Sequence, residues 1–396
     1  MQISKRTLHI PTSPIRKLAP IANEVEKTKK VYHLNIGQPD ITTPENFFEG
    51  VRNYHCRVLE YGKSQGDAPL LRSIQNYYKG WDIDFSLDDI YVTNGGSEAI
   101  SFAVQVTCDV GDNVLLFEPF YANYKSFIYA YDVKINGVPT DPKTGYRLPD
   151  EETIEKHIDA RTKAILVCHP GNPTGVIYTP EEMDRLSRIA RRHNLAMIAD
   201  EVYREFVYDG QYKSFAQMRE LDDALILIDS VSKRYSACGA RSGAVISRNK
   251  TVHAELLKCC QARLSCPRIE QAGAAALYTT PKSYWVEVKK EYAKRRDCIR
   301  EALAAMPGVI TSQPKGAFYV MAKMPVDDME KFAAWLLTDF AIDGETVMIT
   351  PGNGFYVSDP ESGKDECRLA YVLNCQDLQK AMRILAEGLQ AYPGRK

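Results

Sequence analysis

Between about residue 85 and residue 250, short runs of aliphatic and β-branched residues alternate with longer segments whose apolar residues recur at helical spacing. Ile90-Tyr91-Val92-Thr93, Val114-Leu115-Leu116-Phe117, Ala164-Ile165-Leu166-Val167, Ala196-Met197-Ile198-Ala199, Leu225-Ile226-Leu227-Ile228 and Ala244-Val245-Ile246 each have the length of a buried strand. Strands that alternate with helices predict an α/β fold, a mostly parallel central sheet flanked by helices. The clearest intervening helix runs from Pro180 to His193. Thr179 is its N-cap, Pro180 takes the first helical position, and Glu181 and Glu182 place negative charge in the first turn.

From about residue 285 the pattern changes to a long charged helix, Ser283 to Met306, then segments around Gly316-Ala317-Phe318-Tyr319, then a closing helix from about Gln376. This predicts a smaller α+β domain over 285–396 beside a large domain over 45–284. Residues 1–44 have few apolar anchors and prolines at 11, 14 and 20, and are expected to form an arm that joins the small domain. A chain of 396 residues exceeds what one hydrophobic core fills, which agrees with two domains.

Composition narrows the chemistry. Hydrophobic residues at 44% and charged residues at 26% are ordinary for a globular protein. Fifty basic side chains against fifty-one acidic ones, spread along the chain, leave no electrostatic footprint for nucleic acid or an anionic membrane, so small-molecule substrates are expected. The ten cysteines show no C-x-x-C spacing and the seven histidines no H-E-x-x-H arrangement, so no metal is expected. Unpatterned cysteines suit a reducing compartment. With no apolar run near the roughly 20 residues of a membrane span, the expected location is cytoplasmic.

A parallel α/β sheet binds ligands at the carboxyl ends of its strands. Four of those ends carry polar sequences: Asn94-Gly95-Gly96-Ser97-Glu98, Gly171-Asn172-Pro173-Thr174-Gly175, Asp200-Glu201-Val202-Tyr203 and Ser230-Val231-Ser232-Lys233. Singly, each has an ordinary reading as a turn, a helix cap or a solvated loop lysine. Together, in order and at strand ends, they line one crevice.

The chain resembles the class I/II aminotransferases of pyridoxal phosphate fold type I over nearly its whole length. Ser230-x-Ser232-Lys233 followed by Gly239-x-Arg241-x-Gly243 resembles that family's cofactor-lysine signature, and Asn172-Pro173-Thr174-Gly175, Asp200-x-x-Tyr203 and Arg368 match further family positions. The resemblance implies pyridoxal 5'-phosphate as cofactor. Lys233 is then the amine that holds it as a Schiff base and afterwards moves protons. Asp200 keeps the pyridine nitrogen protonated, and Asn172 and Tyr203 hydrogen-bond the phenolic oxygen. Tyr121 stacks on the ring. Gly96, Ser97, Ser230 and Arg241 cradle the phosphate, with Ser232 beside them. Tyr61 reaches the phosphate of a neighbouring subunit, which implies a homodimer. Arg368 binds the substrate α-carboxylate as a planar fork, and Gly37 in Asn35-Ile36-Gly37-Gln38-Pro39-Asp40 faces the same group, beside Asn172.

The implied reaction is transamination, from an L-amino acid with aspartate as best donor to a 2-oxo acid such as 2-oxoglutarate, within amino acid metabolism and biosynthesis. Side-chain recognition is open. Some dicarboxylate-specific relatives carry a lysine where this chain has Ser97, and others borrow an arginine from the partner subunit, for which Arg263 and Arg268 are the candidates. The same fold also hosts C-S β-lyases and synthases of aminocyclopropane carboxylate. A more distant alternative is a serine hydrolase using Ser64, since Gly62-Lys63-Ser64-Gln65-Gly66 fits G-x-S-x-G; that turn requires a buried strand before it.

Overall fold

In the computed structural model, which describes all of residues 1–396, a short strand β1 (Lys30–His33) precedes the main sheet. That sheet contains β2 (Ile90–Thr93), β3 (Asn113–Glu118), β4 (Lys134–Pro139), β5 (Thr162–Cys168), β6 (Ala196–Asp200), β7 (Leu225–Ser230) and β8 (Gly243–Ile246). Its order is β2-β8-β7-β6-β5-β3-β4, and only β8 runs antiparallel to its neighbours. The fold is therefore α/β with a mostly parallel sheet, as the alternation predicts.

The apolar runs are continuous because both faces of the sheet are covered. Leu225 and Leu227 of β7 enter one buried cluster with Leu115, Ile165 and Met197. Ile226 and Ile228 enter another, with Leu116, Leu166 and Ile198. Strand β4 escapes the apolar pattern for the opposite reason. It is one edge of the sheet, exposed at Lys134 and Pro139 and with a glycine inside it, whereas β2 at the other edge is covered.

The helix Pro180–Arg192 forms where its start signal lies. Thr179 Oγ1 accepts from the Glu182 amide at 3.2 Å, and the Glu182 carboxylate accepts from the Thr179 amide at 2.8 Å. This reciprocal pair satisfies two amides that the first turn leaves free.

The C-terminal elements are the helices Lys282–Ala304, Met329–Thr338 and Cys375–Ala391 and the strands β9 (Ile310–Thr311), β10 (Tyr319–Lys323), β11 (Glu345–Met348), β12 (Thr350–Pro351) and β13 (Glu366–Ala370). An antiparallel sheet runs β12-β13-β10-β9, while β11 pairs in parallel with β1, Lys30 opposite Glu345. Leu18, Ala22, Tyr32 and Leu34 share a buried cluster with Leu303, Phe318, Leu369 and Leu385. The N-terminal segment is thus built into the core of the C-terminal elements. No helix is long and apolar enough to cross a membrane.

Candidate active site

A cavity of about 500 Å³ lies against the carboxyl ends of β5, β6 and β7, and the C-terminal elements and residues 13–38 wall its other side. Lys233 enters it from the helical turn Val231–Arg234, whose start is fixed by the Ser230 hydroxyl accepting from the Ser232 amide at 3.1 Å. Its Nζ donates to the Gly37 carbonyl at 2.7 Å and lies 3.9 Å from Cys238 Sγ. The side chain is half-buried and keeps surface on the cavity. Burial pushes its pKa down, the Cys238 thiol opposes this, and the charges of Arg368 and Arg241 add to it. A lysine so placed has more of the neutral amine that nucleophilic chemistry needs.

Gly37 is there because nothing larger fits: a Cβ would collide with the Tyr319 hydroxyl and ring. Gly95 likewise leaves the chain room to turn into the helix Gly96–Thr107 at φ +77°, with the Arg241 guanidinium against it. Gly96 and Ser97, in the first turn of that helix, line the cavity together with Ser230, Ser232 and Arg241. Arg241 is held by bonds from Nη1 to the Cys238 carbonyl at 3.0 Å and from Nη2 to the Asn94 carbonyl at 3.2 Å. Free amides at a helix start, hydroxyls and a guanidinium make a receptor for a phosphate dianion.

Asp200 closes β6. It is 4% exposed, its Oδ2 accepts from the Tyr124 hydroxyl at 2.7 Å, and no cation pairs with it. Burial raises its pKa to about 6, against the bonds from Tyr124 and the Val202 amide. Asn172 bridges two groups: its Nδ2 donates to the Tyr203 hydroxyl at 3.4 Å and its Oδ1 accepts from Arg368 Nη1 at 3.1 Å. Arg368, on β13, also donates through Nη2 to the Asn35 carbonyl at 2.6 Å, lies over the Tyr319 ring at 4.6 Å, and keeps a buried Nε with no partner. Tyr121 walls the same space, its ring edge-on to Tyr124.

The cavity therefore gathers Gly37, Gly96, Ser97, Tyr121, Asn172, Asp200, Tyr203, Ser230, Ser232, Lys233, Arg241 and Arg368. Of the residues expected to bind cofactor or the substrate α-carboxylate, Tyr61 alone lies elsewhere, 79% exposed beside Arg268 on a separate depression. Arg263 is not free to reach out: it bonds Glu98 at 3.1 Å, the Ser64 carbonyl at 2.8 Å and the Val92 carbonyl at 3.1 Å within its own chain. Arg268 is held by Asp67 and Glu60. Ser64 is excluded as a hydrolase nucleophile, because no strand lies between the helices Asn46–Arg52 and Ala68–Lys79 to build the required strand-turn-helix. Tyr124, Tyr319, Cys238 and Arg16, none of which belongs to a sequence motif of the site, also meet there.

The model of the family described as aminotransferase class I and II matches residues 29–385. The chain belongs to that family. Among curated relatives of this aminotransferase, one named aspartate aminotransferase from Thermotoga maritima is 32% identical over 89% of this chain and 92% of its own length. Another of the same name from Pyrococcus horikoshii is 29% identical over 98% and 97%. The solved structure titled alanine aminotransferase from Pyrococcus furiosus superposes with a TM-score of 0.88 at 30% identity, covering 98% of this chain and 99% of that one.

Class I and II aminotransferases of this fold use pyridoxal phosphate, and the donor set of this aminotransferase fits that group. The receptor at Gly96, Ser97, Ser230 and Arg241 matches its phosphate, and Asp200, a buried carboxylate without a cation, matches a protonated ring nitrogen. Lys233 presents a primary amine to the same cavity.

Proposed function

We propose that Lys233 holds pyridoxal phosphate and that the enzyme passes the amino group of an L-amino acid, aspartate first among donors, to a 2-oxo acid such as 2-oxoglutarate. The observation that carries this reading is the placement of Lys233, Asp200 and Arg368 around one cavity, so that amine, ring-proton acceptor and carboxylate fork face a common space. When bound, the cofactor supplies an electron sink for the bond broken at the substrate α-carbon.

The chain's own groups do the rest. Arg368 grips the α-carboxylate with its planar fork, and the Tyr319 and Phe355 rings, 4.6 and 5.3 Å from the guanidinium, fix its orientation. Lys233 Nζ, its basicity lowered by burial, would take the α-proton and deliver it to the cofactor carbon joined to the substrate nitrogen, two atoms from the α-carbon. Asp200 holds the ring proton, and Tyr203 with Asn172 donates to the phenolic oxygen. Tyr121 covers the ring. Pairing of β1 with β11 supports an arm over 1–44 joined to a small domain at 285–396, with 45–284 as the cofactor domain. Exposed Val58, Leu59 and Tyr61, three apolar side chains on one irregular segment, support a homodimer in which Tyr61 serves the partner's phosphate.

The test records visible absorbance of the purified holoenzyme while amino acids are added one at a time. A colour change with aspartate or alanine, reversed by a 2-oxo acid and absent in Lys233→Ala, is the expected result, and the titration ranks the donors. Full turnover by Lys233→Ala sinks the proposal. Pyruvate and ammonia released from cystathionine without any 2-oxo acid would move the enzyme among the lyases.

A further inference from the structure

The charged groups that line the cavity are Arg16, Lys233, Arg241, Arg368 and Asp200. The proposed reading employs four of them: Lys233 on the cofactor, Arg241 on its phosphate, Arg368 on the α-carboxylate and Asp200 on the ring proton. Arg16 is left over. Its side chain is exposed and its guanidinium has no hydrogen-bond or ion-pair partner in the chain, whereas Arg263 and Arg268 are bonded to acidic groups away from the cavity.

Its backbone, by contrast, is held on both sides. The Ile15 carbonyl accepts from Asn35 Nδ2 at 3.0 Å, the Arg16 amide donates to the Ser13 carbonyl at 3.1 Å, and Lys17 Nζ pairs with Glu330 at 2.8 Å. Leu18 is buried in the core of the C-terminal elements. Two residues along from Asn35, Gly37 receives the Lys233 bond, and the Asn35 carbonyl itself receives Arg368. One short stretch of chain thus connects the Arg16 turn to the α-carboxylate fork. Arg16 is also near enough to Tyr121 for its charge to act on that phenol, which burial raises and the charges of Arg368 and Arg16 pull back.

We propose that Arg16 is the specificity residue of this enzyme, a cation on the N-terminal segment that binds the second, side-chain carboxylate of a dicarboxylic substrate. The inference rests on the transaminase reading and names its substrate class. A substrate with one carboxylate satisfies Arg368 alone. A dicarboxylate satisfies both cations and ties the segment 13–18 to the ligand, which accounts for an unpartnered guanidinium on an anchored turn.

The test is calorimetric binding of two inert acids of equal chain length, succinate and butyrate, to the holoenzyme. Arg16→Met is expected to weaken succinate by about tenfold to hundredfold, the weight of a charge-assisted pair, and to leave butyrate within about twofold. Arg16→Lys, which keeps the charge without the fork, is expected to fall between. Equal losses for both acids, or none, overturn the proposal, and unchanged butyrate binding shows that the segment is still seated. The reading beneath it fails differently. A wild-type enzyme that transaminates alanine but binds succinate no more tightly than butyrate removes Arg16 and keeps the transaminase. One that responds to no amino acid removes both.

Discussion

At Asp200 a buried carboxylate has a single phenol beside it, and in the proposed function that pairing governs how the ring nitrogen would be held. Tyr124 donates to Oδ2 at 2.7 Å, and its loss in Tyr124→Phe leaves the carboxylate harder still to ionise. A hydrogen bond to a charged group is worth about 1.5–3 kcal/mol, so the dissociation constant for pyridoxal phosphate is expected to rise roughly tenfold to hundredfold in a fluorescence titration. An unchanged constant removes Tyr124 from the site's electrostatics. The same carboxylate makes a pH prediction for the cofactor-free protein. Its folded pKa of about 6 lies above the unfolded value of 3.8, so between those pH values the folded chain binds more protons than the unfolded one. Stability from this group is therefore present at low pH and falls as the pH rises through the window, by roughly 3 kcal/mol at most. Asp200→Asn does not titrate. The melting temperature of wild type minus that of the variant should decline from about pH 4 to about pH 6 and then level, and a flat difference refutes the raised pKa. Asp200 was legible in the sequence because it follows a strand. Tyr124 was not, since a tyrosine among apolar residues reads as core; its place three residues after Tyr121 at the start of a helix was the available signal.

At the scale of elements, the end of β6 is clamped from behind. Glu201, next to Asp200 and fully buried, accepts from Arg204 Nη2 at 2.7 Å, the Ser214 hydroxyl at 2.8 Å and the Phe215 amide at 2.8 Å. Arg204 in turn lies over the Tyr78 ring at 4.4 Å and donates to its hydroxyl at 3.0 Å. Glu201→Gln leaves the arginine buried without its counter-charge, which costs about 3–5 kcal/mol and should appear as a lower urea midpoint at unchanged slope. Glu201→Gln combined with Arg204→Met should recover part of the loss, because the uncompensated charge is then gone. A single variant as stable as wild type would show that the pair does not hold the strand. The sheet itself was largely readable, because strands buried on both faces advertise themselves as apolar runs. What escaped was β4, whose edge position relaxes the need for apolar residues, and the reversal of β8, since a run such as Ala244-Val245-Ile246 carries no sign of its direction.

At the scale of the whole molecule, Tyr61 is the one expected cofactor contact that the single chain leaves stranded, and its exposure beside Val58 and Leu59 is intelligible if a second copy covers them. Nothing within the chain's local pattern could have shown this, because a residue that works in another subunit obeys no packing rule in its own. A two-fold dimer makes the idea testable by complementation, since each site then takes Lys233 from one chain and Tyr61 from the other. Chains bearing Lys233→Ala are expected to be inactive, and chains bearing Tyr61→Ala to be nearly so at limiting cofactor, where the lost phosphate contact matters most. Coexpressed with different tags and purified as the hybrid, the pair has one site carrying both defects and one carrying neither. Activity at limiting cofactor should therefore return to about half that of the wild-type dimer, per dimer. If Tyr61 instead acts within its own chain, each site of the hybrid keeps one defect and activity stays at the low level of the parents. Size-exclusion chromatography of the wild type supplies the control, because a monomer at assay concentration rules out the shared site before the hybrid is made.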